Sequence, residues 1–492
     1  MQYIGVDLGT SSVKLLMMTG EGEILGITSR EYDVYFPKNG WSEQNPEDWF
    51  AQAKDGIKEL TSKYGPADGI GVAGQMHGLV TLDSEDKVIR NAILWNDGRS
   101  QPQTDYLNNV IGKETLTKYT GNIAYAGFTA PKILWMKENE PDNFAKISKI
   151  MLPKDYLNYM LTGVAATDPS DASGTLYYDV KNKCWSAEML DILGISEDML
   201  PKVFEAYEKI GTVKPELASE LGLSPDCILC GGAGDNAGAA VGMGIVGDGA
   251  CNISLGTSGT IFICSDGFVD DNNNSLHSFA HADGAYHAMG CILSAASCNK
   301  WWVADILGSN DFAASEREIT DDDLGQNRVF YLPYLMGERS PINDTAARGA
   351  FVGMSMDTTR KDMTQAVFEG VAFALRDCVE AGKKAGINVS KSGICGGGAK
   401  NTVWCKIVAD VLGITLEQTE NTEGPSFGGA ILAAVAKGEY ASVQEAAAKL
   451  IKIVKVTEPD PEKVALYNER YAEYSKIYPA LKETYAFINE RR

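Results

Sequence analysis

The chain has 492 residues, 44% hydrophobic and 22% charged, the balance of an ordinary soluble globular protein. That length exceeds what one core usually fills, so two domains are expected, and a net charge of −22 argues against nucleic acid or an anionic membrane as partner. No run approaches the roughly 18 apolar residues of a membrane helix and no basic leader precedes the first strand. The ten cysteines show no disulfide framework, so the expected compartment is a reducing cytoplasm.

Tyr3–Val6 and Val13–Met18 are predicted strands joined by the small polar turn Gly9–Ser12, and a second turn at Gly20–Glu23 leads into a third strand. In "NPEDWFAQAKDGIKEL", Asn45 caps a helix and Pro46 opens it. A strand at Gly69–Gly74 ends in Gln75-Met76-His77-Gly78. Strands alternating with such helices give an α/β class. Residues 228–249 read as strand, turn and small-residue helix, followed by Gly242, Gly244, Gly247 and Gly249. There the boundary between domains 1–245 and 246–492 is expected, with a hinge. The second half restarts with a hairpin at Cys251–Cys264 and continues through a strand-turn-helix over 392–413. It closes with a helix from Pro461, whose Tyr467, Tyr471, Tyr474, Tyr478 and Tyr485 read as core packing. Cys227 and Cys230, three apart on a predicted strand, point to opposite faces and read as packing too.

The first turn, Leu8-Gly9-Thr10-Ser11, returns about half a chain later as Leu255-Gly256-Thr257-Ser258. One such turn is usually a plain hairpin, but its small residues let backbone amides face an anion. Two copies at this spacing predict related domains that hold one polyphosphate across a cleft. Asp7 precedes only the first copy, where a carboxylate beside phosphate requires Mg²⁺ or water between them. Asp235, in "GGAGDNAGAA", is either an N-cap or a base placed to take a proton from a hydroxyl, with Asn236 beside it. "GQMHGL" and "LWNDGRS" end short strands, where α/β sheets tend to bind ligands. His277, His281, His287 and Cys291 do not have zinc-site spacing, and Glu338-Arg339 suits a polar loop or a salt bridge. "CGGGAKN" (395–401) lacks the dinucleotide glycine pattern, and neither a Walker loop nor the protein-kinase signatures occur.

In order along the chain, "DLGTSSVK", "GQMHGLV", "LWNDGR", "LPKDYL", "SDASGT", "GDNAGAA", "SLGTSG", "LPYLMGERSP" and "GGGAKN" resemble the FGGY family of sugar kinases, in particular its xylulose-phosphorylating branch. The resemblance implies two actin-like (ribonuclease H-like) domains flanking a cleft, ATP as phosphoryl donor, Mg²⁺ as metal and D-xylulose as acceptor. It also implies Asp235 as proton acceptor, Asp7 as a carboxylate needed for activity on the metal side, and Met76, His77, Asn236 and Asp97 as sugar contacts. Thr10, Ser11, Gly256 and Thr257 would hold phosphates, and Gly397 and Asn401 would lie near the adenosine. Because the transition state for such transfer is loose, Asp235 needs no raised pKa. A kinase of the same family for a related ketose or polyol is the near alternative, an actin-like ATPase without a sugar substrate is the alternative of another class, and assembly as a homodimer stays open.

Overall fold

The computed structural model describes residues 1–270 and 275–489. β1 (Gln2–Leu8), β2 (Ser12–Thr19) and β3 (Ile24–Glu31) form an antiparallel meander. Helix α1 (Pro46–Tyr64) returns the chain to β4 (Gly69–Gly74), parallel to β1. Its start follows local chemistry: the Asn45 side chain accepts the Glu47 N–H and Glu47 and Asp48 fill the first turn. After α2 (Thr129–Asn139) and α3 (Pro153–Thr162) come β5 (Lys209–Thr212), β6 (Ile228–Cys230) and β7 (Ala233–Gly234). The sheet order is β5-β6-β4-β1-β2-β3, with β7 beside β4, and α4 (Asp235–Gly242) leaves directly from β7.

The second half repeats the plan. β8 (Cys251–Leu255) and β9 (Gly259–Ser265) form the second hairpin, and β10 (His277–Ala280) and β11 (Tyr286–Ile292) extend it. Helix α5 (Arg360–Lys384) leads to β12 (Lys391–Cys395), parallel to β8. Then follow α6 (Thr402–Leu412), β13 (Thr415–Thr419), α7 (Gly424–Lys437), α8 (Val443–Leu450), β14 (Ile453–Thr457) and α9 (Pro461–Asn489). The order β10-β11-β9-β8-β12-β13-β14 places a hairpin strand beside a central parallel strand, as in the first sheet. On α9, Tyr467 and Tyr474 pack on Phe373 of α5. Cys227 and Cys230 are buried in different clusters, as opposite faces require.

Residue 245 separates the two sheets, but it does not separate the two cores. Helix α7 crosses back and lies on β1 and β4, joining Tyr3, Leu16 and Cys230 in one apolar cluster with Phe427, Ile431 and Leu450. The approach is backbone to backbone. A Cβ at Gly5 would lie 1.6 Å from the Ser426 carbonyl oxygen, and one at Gly71 2.0 Å from that of Gly429. α4 crosses α7 equally closely, a Cβ at Gly428 falling 1.9 Å from Gly238 O and one at Gly242 2.0 Å from Gly424 O. Gly242 is therefore a packing glycine rather than part of a free hinge. Gly244, Gly247 and Gly249, with φ of +75°, +82° and +72°, carry the turn into β8. The halves also meet at edge strand β10, where Asn122 Nδ2 donates to Ser278 O (2.8 Å) and Asn122 Oδ1 accepts the Ser278 N–H (3.2 Å).

Candidate active site

Parallel pairing of β1 with β4 brings their C-terminal ends together, so the Leu8–Ser11 turn meets Gln75. The Gln75 N–H donates to Leu8 O at 2.8 Å, and its side-chain oxygen accepts from the Thr10 hydroxyl at 3.2 Å. Trp95 Nε1 donates to that same hydroxyl at 3.0 Å, so the Thr10 side chain is held by its own domain. Among the described residues, the N–H groups of Thr10 and Ser11 find no protein acceptor, and nor do those of Thr257 and Ser258. Each copy of the turn thus offers two adjacent unpaired amides, the form of an anion cradle.

Asp235 is the first residue of α4 and its carboxylate accepts the Asn236 N–H (2.8 Å) and Asn236 Nδ2 (3.1 Å). The N-cap position falls on Gly234, so the capping role open to Asp235 is not the one it takes. Its carboxyl is half-buried and its pKa is pushed up to about 7, mainly by burial, then by the charge of Asp7, against the lowering pull of the Asn236 N–H. Asp7 is in turn raised to about 6 by burial; Lys14 opposes that shift and Glu423 adds to it. Met76 packs against Gly234, whose Cβ would stand 3.0 Å from the Met76 side chain. Below them Ser170 Oγ accepts the Gly234 N–H (3.1 Å), and fully buried Lys154 pairs with Asp155 (2.8 Å) and Asp168 (3.1 Å).

His77 adopts φ +69°. Its Nδ1 lies 2.7 Å from Gly174 O and its ring stacks on Phe128 at 4.8 Å. Facing a carbonyl, Nδ1 must carry the proton, which leaves Nε2 as an acceptor on a half-buried residue. Burial, then the nearby Lys132 ammonium, pull the His77 pKa down to about 3, so the ring is neutral. Asp97, expected among the sugar contacts, is committed elsewhere. Its two oxygens accept from Arg99 N (2.8 Å), Nε (2.9 Å) and Nη2 (2.7 Å) and from Ser42 N (2.6 Å), and the side chain is fully buried. The "LWNDGR" turn reaches the cleft through Trp95 instead.

In the second half, Thr257, Gly397, Gly398 and Asn401 line a cavity of about 650 Å³, together with Ser297, Asn299, Lys300, Phe312, Glu316 and Lys400. Gly396 at φ +88° lets the loop lie on the second turn, where a Cβ would sit 2.7 Å from the Leu255 carbonyl; beside Gly397 the space is open. Asn401 caps α6, accepting the Trp404 N–H at 2.7 Å. Asn299, Lys300, Phe312 and Glu316 were not legible in the sequence, because they lie on short helices (Ala296–Lys300 and Phe312–Arg317) outside the quoted motifs. Gln75 and Trp95 stood inside quoted motifs and could have been singled out.

The remaining polar candidates have other partners. His281 Nε2 meets Ile245 O at 3.0 Å and His287 stacks on Phe262 at 3.9 Å. Among the described residues, no group of three or more His, Cys, Asp or Glu side chains is arranged to hold a metal. Glu338 accepts the Leu293 and Arg339 N–H groups, each at 2.8 Å, while the Arg339 guanidinium lies 5.6 Å over Tyr125, so the two form no salt bridge. Among the described residues no helix is long and apolar enough to cross a membrane.

Family models for the N-terminal and C-terminal domains of FGGY carbohydrate kinases match residues 2–242 and 251–437. A xylulose kinase of Escherichia coli (strain K12) is 38% identical over 97% of this chain and 99% of its own. The crystal structure of a "xyloylose kinase" from Brucella ovis is 39% identical and superposes with a TM-score of 0.93, covering 98% of this chain and 100% of that one. A gluconate kinase from Lactobacillus acidophilus, 27% identical, gives 0.92 with 99% of both chains covered. With both domain models matched in order and the duplicated fold shared, the chain belongs to the FGGY family of carbohydrate kinases.

Proposed function

We propose that this kinase transfers the γ-phosphoryl group of ATP to a hydroxyl of D-xylulose, giving D-xylulose 5-phosphate and ADP in the cytoplasm. The observation that carries the reading is that each half gathers its own set of candidate residues. Met76 and His77 pack beside Gly174 and Gly234, next to Asp235, in the first, and Thr257, Gly397 and Asn401 line a cavity in the second. Similarity along nearly the whole chain, at 38–39% identity, to relatives named as xylulose kinases supports the choice of sugar.

In this reading, His77 Nε2 accepts a hydrogen bond from a sugar hydroxyl and Asn236 adds another polar contact. Asp235, as carboxylate, accepts the proton of the attacking hydroxyl late in the transfer, where positioning and charge neutralisation do most of the work. The paired amides of Thr10–Ser11 and Thr257–Ser258 hold phosphate oxygens, and the adenosine fills the cavity beside Gly397 and Asn401. The donor set at Asp7 suits Mg²⁺, a hard cation that takes carboxylate oxygen. Asp7 and Glu423 both act on the Lys14 ammonium, which sits 3.0 Å from Glu423. A bound Mg²⁺ would offset phosphate charge there.

Coupled ADP release measured against a panel of ketoses, polyols and gluconate tests the assignment. Turnover should need a sugar, with D-xylulose giving the highest kcat/KM. Sugar-independent ATPase activity, or a polyol or gluconate far ahead of xylulose, would overturn it.

A further inference from the structure

Lys132 is fully buried, and it sits in the first turn of α2, where unpaired N–H groups and the helix dipole disfavour a cation. An ammonium in such a place needs strong acceptors. Its Nζ donates to the carbonyl oxygens of His77 (2.8 Å) and Gly127 (2.7 Å), and Thr129 Oγ1 adds a second donor to His77 O at 3.1 Å. The carbonyl so gripped belongs to a residue in the left-handed region, which non-glycine residues seldom adopt. The other carbonyl, on Gly127, lies in a loop packed against Trp95, where a Cβ would be 2.7 Å from Trp95 O. One ammonium therefore ties together the His77 turn and the loop behind Trp95.

The ammonium also ends a charged chain beneath this wall. Arg90 pairs with Glu43 and Glu140, and Arg99 pairs with Glu43 (2.7 Å) and Asp97 (2.7 Å). Burial pulls the Lys132 pKa down to about 7, the charge of Asp97 opposes that fall and Arg99 adds to it; charged or neutral, the amino group keeps its N–H donors to the two carbonyls. The Arg99 guanidinium lies 3.7 Å over Trp41. Lys132 and the two carbonyls link this network to the His77 turn.

We propose that Lys132 is a positioning residue for sugar recognition: by gripping His77 O and Gly127 O, it keeps the His77 ring stacked on Phe128 with Nδ1 on Gly174 and Nε2 open to the acceptor sugar. It touches no substrate itself. The inference rests on the assignment of His77 to the sugar, and the test separates the two. Lys132→Met keeps length and removes the donors. It should raise KM for xylulose roughly ten- to a hundred-fold, with kcat changed by less than about threefold and nucleotide affinity without sugar unchanged. Nitrogen-15 NMR of the imidazoles supplies a readout independent of turnover. The chain has 4 histidines, so His77→Gln assigns the His77 signals. Their single-tautomer pattern, protonated at Nδ1, should become a mixture in Lys132→Met. If Lys132→Met does not fold, Thr129→Val removes the second donor at nearly constant volume and should raise KM about three- to tenfold with the same loss of tautomer purity.

A folded Lys132→Met with parental KM and an unchanged His77 spectrum would overturn the proposal. So would a fall in kcat that merely follows the melting temperature. If instead His77→Gln leaves KM untouched while Lys132→Met still scrambles the His77 tautomer, the sugar assignment fails and the positioning role stands.

Discussion

Replacing Asp235 by Asn should make the ligand-free protein more stable while removing its activity. Asn is nearly isosteric and still accepts the Asn236 N–H, so the packing of α4 on α7 is retained. What changes is charge: in the cleft, burial and the Asp7 carboxylate push the Asp235 pKa from 3.8 up to about 7. Three decades of proton affinity at about 1.4 kcal/mol each set an upper bound near 4 kcal/mol. The carboxyl is half-buried and partly hydrated, so about 2 kcal/mol is expected, or a few degrees in Tm. Because the folded carboxyl keeps its proton to about pH 7 and the unfolded one loses it near pH 4, the parent loses stability as pH rises between those values. The variant does not. Thermal scans in EDTA should show Asp235→Asn ahead by the full amount at pH 8 and by a smaller margin at pH 5. Its kcat should fall at least 10²-fold, the usual scale for losing a positioned base. A variant that melts with the parent at pH 8, or that gains equally at both pH values, refutes the claim that Asp235 is held against its charge. Turnover within a few-fold of the parent refutes its catalytic role.

Asp7→Ala should weaken the Mg²⁺ dependence of turnover without loss of sugar binding; full activity with an unaltered Mg²⁺ titration would remove Asp7 from the metal side. His77→Ala loses an acceptor to a buried hydroxyl, about 1–3 kcal/mol, so kcat/KM for xylulose should fall roughly ten- to hundred-fold. An early-melting variant with normal kinetics would mark the histidine as merely structural. Gly428→Ala drives a methyl to 1.9 Å from Gly238 O and should cost about 1–3 kcal/mol, visible as a lower melting temperature. Small-angle scattering should show compaction when sugar and a non-hydrolysable nucleotide both bind; equal radii would argue against closure about the Gly244–Gly249 connection.

The duplicated turn was legible because a small polar run between two apolar strands leaves few other conformations open, and its repetition at half the chain length carries the symmetry. Asp235 and His77 were legible as residues at strand ends. Their electrostatics were not: the Asp235 pKa is raised first by burial and then by Asp7, more than two hundred positions away in sequence and brought near only after β1 and β7 flank β4. The surroundings of Asp97 were not legible, because an Asn-Asp-Gly turn does not show that Arg99, two residues on, folds back onto both carboxylate oxygens. The α4 stretch read as a small-residue helix and the glycines from Gly242 to Gly249 marked the boundary near 245, while the glycines of α7 carried no reading. That they mark backbone contact between distant segments depends on which carbonyl lies opposite each missing side chain, and no local pattern encodes that.

The return of α7 to the first sheet also bears on how the chain is made. Proteins emerge from the ribosome N-terminus first, and domains usually fold as units in that order. Here Gly5 and Gly71, among the first strands translated, wait for Ser426 and Gly429 before their open face is covered. The first half is thus the earlier to be synthesised and the later to be completed, and the second sheet can form while the first still shows bare apolar strands. A nascent chain cut at residue 245 should be protease-sensitive and prone to associate. A separately supplied segment spanning α7 and α8 should protect it.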